Sequence, residues 1–139
     1  MKYQIEFSKE QLSVVQQALE FASRFCAGQV DCLAPFIEEQ ILLNCGSHDR
    51  FIETRNRYTH HLDMFKQNAF PNLKNNESLG IGSSMLQEEA KICYDIYRPI
   101  LEQFDRELRE KNPDVGYSVY QNPGMIFSQE GRIVIKTIE

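Results

Sequence analysis

The stretch from Ser84 to Lys111 constrains the fold more than any other part of the chain. Its apolar residues, Ala90, Ile92, Cys93, Ile96, Tyr97, Ile100, Phe104 and Leu108, recur at helical spacing but spread well beyond one stripe. So wide an apolar face needs cover on two sides, so this helix is either central or shared with another subunit. Pro99 falls inside the pattern and is expected to kink it. Three shorter helical patterns come before it. Ser8 and Gln11 read as a capping box, opening a helix over about 9–27 with Leu12, Val15, Leu19, Ala22 and Cys26 on one stripe. A second helix is expected over 31–43, with Pro35 tolerated in its first turn. The third, over 49–68, sets Phe51, Tyr58, Leu62 and Phe65 on one face. Residues 70–83 carry Gly, Pro and Asn at a density that forbids regular structure.

The two ends of the chain read differently. Tyr3, Ile5 and Phe7 alternate with polar residues, which predicts a strand over 2–7. Tyr117, Val119, Ile126, Ile133, Ile135 and Ile138 are strand formers, punctuated by Asn122-Pro123-Gly124 and Glu130-Gly131. They predict an antiparallel β hairpin over about 115–138. The expected fold is therefore α+β, mainly α: a four-helix core with an N-terminal strand and a C-terminal hairpin, in a single domain spanning 1–139.

Composition narrows the function classes. A net charge of −5 argues against a general electrostatic grip on nucleic acid. No apolar run approaches the roughly 20 residues of a membrane span. The first residues lack the apolar block of a signal peptide, so a cytoplasmic location is the default. Cys26, Cys32, Cys45 and Cys93 form no CxxC pair and read as small hydrophobes.

Three segments could carry chemistry. In Ser78-Leu79-Gly80-Ile81-Gly82-Ser83-Ser84, two glycines allow close backbone approach to a ligand and the following helix start offers free N–H groups to an anion. It is neither a P-loop nor a dinucleotide fingerprint, and its bland reading is a connection whose serine caps the helix. In Ser23-Arg24-Phe25-Cys26-Ala27-Gly28-Gln29, Arg24 points nearly opposite the core stripe and Gln29 can read an amide or base edge. The third is the ridge of Arg50, Arg57 and His61 on the third helix, a solvated face or the wall of an anionic pocket. His60 and His61 are adjacent and point apart, unlike a helical zinc pair. No catalytic constellation, metal site or cofactor motif emerges from the residues.

The segments Ala18–Gln29 and Ser78–Ser83, with Glu89-Ala90-Lys91-Ile92-Cys93-Tyr94-Asp95-Ile96-Tyr97-Arg98, resemble a group of small bacteriophage- and prophage-encoded proteins. By analogy of class, the resemblance implies a counter-defence role: a compact homo-oligomer that sequesters a nucleotide-derived immune signal without turnover. On that reading Ser78, Gly80, Gly82, Ser83 and Ser84 hold phosphate, Arg24 neutralises charge, Gln29 gives polar selectivity, and Tyr94 or Tyr97 stacks on a base. Arg57 and His61 are secondary candidates, and oligomerisation is expected through the 84–111 helix. The rival readings are a protein-interaction module that inhibits a host factor, and a hydrolase of such a signal using His60 or His61.

Overall fold

The computed structural model describes residues 5–116, 118–121 and 123–136, with the Phe36 side chain left aside. We label the helices α1 (Lys9–Cys26), α2 (Ala34–Asn44), α3 (His48–Ala69) and α4 (Glu88–Lys111), with a 3₁₀ turn at Val30–Leu33 before α2. The capping box forms: Ser8 Oγ accepts from Gln11 N at 3.2 Å, and Gln11 Oε1 accepts from Ser8 N at 2.8 Å. Ser47 caps α3 in the same way, accepting from Arg50 N. Pro99 sits buried inside a continuous α4.

The strand expectations fail. Ile5, Glu6 and Phe7 are irregular, and among the described residues of the C-terminal segment no strand forms. Lys2–Gln4, Tyr117, Asn122 and Thr137–Ile138 lie outside the described residues. The reason is visible in where the backbone donors go. Gln129 N donates to Glu88 Oε1 at 2.7 Å, and Ser128 N to Asp95 Oδ2 at 2.7 Å. Phe127 N shares the Asp95 carboxylate at 3.1 Å, and Gly124 N donates to Glu102 Oε1 at 2.7 Å. At the far end Arg109 reverses the polarity, donating to the carbonyls of Val115 at 3.1 Å and Gly116 at 2.8 Å. Glu88, Asp95, Glu102 and Arg109 stand at seven-residue steps, hence on one face of α4. The tail runs antiparallel along that face and spends its amides on side chains. It has no need of a partner strand.

This also accounts for the breadth of the apolar face of α4. α1 packs along one side of it and the tail lies along another. Part of the wide face is thus covered within the chain, while Leu108 near its end stays 49% exposed. At the α1–α4 seam the buried residues of α1 are Gln16 and Ser23, while the expected stripe Leu12, Val15, Leu19, Ala22 and Cys26 is only half-buried. Across from them Ala90, Tyr97 and Ile100 are buried. A compact cluster of Ala27, Leu86 and Ala90, joined by Cys26, Leu79 and Ile81, fastens the loop before α4 to the end of α1.

Candidate functional site

The end of α1 is shaped by Gly28. Its φ is +84°, a left-handed conformation that glycine adopts freely. Gly28 N donates to Phe25 O at 3.0 Å and Gln29 N to Arg24 O at 3.0 Å. That pair of reversed bonds is the Schellman termination, which folds the chain back on the last turn. Its consequence is local and chemical. The side chain of Gln29 returns beside Arg24, whose Nη1 donates to Gln29 Oε1 at 3.2 Å. A Cβ on residue 28 would stand 2.9 Å from Leu73 Cδ1, the tip of a side chain that would have to shift.

The second motif docks on this termination. Leu79 N donates to Ala27 O at 2.8 Å, and Gln29 Nε2 donates to Ser78 Oγ at 3.3 Å. Arg24, Gln29 and Ser78, drawn from two segments far apart in the chain, form one hydrogen-bonded row. Glu20 stands at the other end, accepting from Arg24 Nε at 2.9 Å and lying 2.8 Å from Nη2. Burial works against the Arg24 charge, but Glu20 beside it raises the guanidinium above its ordinary value. Gly80 leaves open space where a side chain would be. Arg24, Ser78 and Gly80 are exposed, so the junction is a surface patch rather than an enclosed hollow.

Other members of the expected site are engaged differently. Ser83 N donates to Gly80 O at 2.8 Å, Leu86 N to Ser83 O at 3.2 Å, and Met85 N to Ser83 Oγ at 3.2 Å. These loop amides are satisfied within the loop. Neither Ser83 nor Ser84 caps α4, which starts at Glu88 after Gln87 and carries Glu88 and Glu89 in its first turn. Acidic side chains already occupy the end of the helix that favours negative charge. Gly82 faces Phe127, whose ring carbon would lie 3.3 Å from an added Cβ. Tyr97 is buried, and burial raises its hydroxyl well above the usual tyrosine range. Tyr94 meets the rings of Tyr97 and Phe127 edge-on at 5.3 and 5.4 Å. Both tyrosines thus belong to an edge-on aromatic cluster, and Tyr97 also acts electrostatically on Arg24. The secondary candidates stand apart on α3: Arg57 pairs with Glu53 at 2.9 Å, and His61 is exposed beside His60.

Sequence reasoning passed over two features near the patch. Glu20 is the natural i, i+4 partner of Arg24, a spacing legible in the sequence. Tyr120 comes from the tail, with the Arg98 guanidinium 4.5 Å over its ring, and it also acts electrostatically on Arg24. No local pattern could have linked Tyr120 to Arg24. The chain matches no known protein family, no curated protein and no solved structure.

Proposed function

We propose that the protein binds a small, phosphate-bearing, nucleotide-derived molecule at the Arg24–Gln29–Ser78 row and holds it without turnover. One observation carries the reading: Gln29 hydrogen-bonds both Arg24 and Ser78, joining the two motifs that the sequence singled out. Arg24 supplies a charged fork for a phosphate oxygen, Gln29 and Ser78 supply neutral donors, and the open space at Gly80 admits the ligand to the backbone. An incoming phosphate competes with Glu20 for the guanidinium, which favours a compact, strongly charged ligand over a neutral one. Counter-defence sequestration, by analogy of class with small phage-encoded proteins, is the role this chemistry would serve.

The test is titration calorimetry with cyclic dinucleotides and cyclic ADP-ribose derivatives. A dissociation constant below about 10 μM, roughly −7 kcal/mol, is expected for at least one of them. Arg24→Ala should weaken that binding about 10- to 100-fold, as loss of a charge-assisted contact does. Absence of binding across the panel would refute the reading. Binding untouched by Arg24→Ala would move the ligand elsewhere.

A further inference from the structure

A hollow of about 170 Å³ lies between the 3₁₀ turn, α2 and α3, apart from the Arg24 junction. One wall of it is closed by its own chemistry. Glu38 accepts from the Tyr58 hydroxyl at 2.9 Å and lies 2.9 Å from Arg55 Nε. The floor is different. Lys66 lines the hollow and is only 3% exposed. Its ammonium donates to the carbonyls of Asn75 at 2.7 Å and Glu77 at 2.6 Å. An ammonium has three N–H groups, so two carbonyls leave one donor over. Among the described residues no carboxylate pairs with Lys66. A full positive charge buried on neutral oxygens alone calls for an anion.

Asp63 and Asp31 line the same hollow. Asp63 stands three residues before Lys66 on α3, hence on the same side of the helix, and is half-buried. Asp31 comes from the 3₁₀ turn. Neither carboxylate has an ion pair or a side-chain hydrogen bond among the described residues. One cation and two anions that do not satisfy each other therefore share one small space. A molecule with an anionic end and a cationic end close together completes both. Val30, which is buried, joins Ala34 and Leu62 in an apolar wall that suits a short side chain. The volume limits the size of the guest. It equals about five waters at about 30 Å³ each, and pockets for drug-sized ligands begin near 300 Å³. A nucleotide is too large for it.

We infer that this hollow binds a small free α-amino acid, with its carboxylate on Lys66, its ammonium between Asp63 and Asp31, and its short side chain against Val30, Ala34 and Leu62. The inference is independent of the nucleotide reading, since Arg24, Gln29 and Ser78 do not line the hollow. Titration calorimetry of the full chain with glycine, L-alanine and L-serine should give a dissociation constant below about 1 mM for at least one of them. Acetate and ethylammonium each carry one end of the zwitterion and should bind at least about 10-fold more weakly. Asp63→Asn and Asp31→Asn keep the shape of the side chain and remove its charge. Each should weaken amino-acid binding about 10-fold, with an unchanged circular dichroism spectrum. Lys66→Met removes a buried fastening together with the charge, so the aspartate variants and the one-ended analogues carry the test. No amino acid bound below about 1 mM, a one-ended analogue bound as tightly as the amino acid, or full affinity in either aspartate variant would each overturn the inference.

Discussion

Single residues in this chain have effects disproportionate to their size. Gly28 ends α1, turns Gln29 back to Arg24 and leaves room for Leu73. Gly28→Ala should cost about 1–2 kcal/mol through left-handed backbone strain alone, and the crowded Leu73 contact adds to it. A thermal melt should show the midpoint fall by several degrees; an unchanged midpoint would mean that the turn relaxes freely. Lys66 works in a comparable way on α3. It is buried, yet its ammonium donates to the carbonyls of Asn75 at 2.7 Å and Glu77 at 2.6 Å, which fastens the loop after α3 to its helix. The glycine was legible in the sequence as a helix stop. The lysine was not, because its partners are backbone carbonyls in a segment with no periodic pattern.

At the scale of elements, the helices were legible and the tail was not. Ser8 with Gln11, Pro35 near a helix start, and Pro71 just past a helix end are local signals whose physics is complete within a few residues. A run of β-branched residues states only that a chain prefers to be extended. It does not say which groups will take its amides. Here the acidic residues of α4 take them, and the seven-residue spacing of Glu88, Asp95 and Glu102 was the readable sign of such a ladder. Asp95 is its centre, 1% exposed and accepting from Phe127 N, Ser128 N and Ser128 Oγ. Asp95→Ala should destabilise the tail by about 2–4 kcal/mol, since three donors lose a buried acceptor. Hydrogen exchange should then accelerate at the amides of residues 127 and 128; unchanged protection there would show that other contacts hold the tail.

Ion pairs at the far end of α4 add a pH dependence. Lys9 bonds Glu107 at 2.5 Å and holds that carboxyl below its ordinary value, and the Arg109 side chain does the same for Asp105. A carboxyl whose folded value is depressed contributes stability at neutral pH, and that contribution is lost as pH falls through the folded value. The urea midpoint should therefore hold between about pH 7 and 5 and decline below about pH 4. A midpoint flat to pH 3 would contradict this, and high salt should blunt the share owed to Lys9–Glu107, the more exposed of the two pairs.

Over the whole molecule, the buried core is thin for the chain's length. The fully buried apolar side chains gather around the α1–α4 seam, while Val14, Leu42, Leu43 and Met85 remain exposed. No helix among the described residues is long and apolar enough to cross a membrane. The sequence pointed to association through the 84–111 helix because its apolar face is broad, and α1 and the tail take up part of that breadth. The two candidate motifs were also legible, whereas their meeting was not. It depends on a reversed turn at Gly28 and on a loop docking onto it.

The central claim, that Arg24, Gln29 and Ser78 form one ligand site, is tested most directly by mapping amide chemical shifts as each nucleotide of the panel is added. Saturable shifts are expected at the end of α1 and the docked loop alone, at Arg24, Gly28, Gln29, Ser78, Leu79 and Gly80. Shifts centred instead on the hollow lined by Glu38, Arg55 and Tyr58, or no shifts at all, would contradict it.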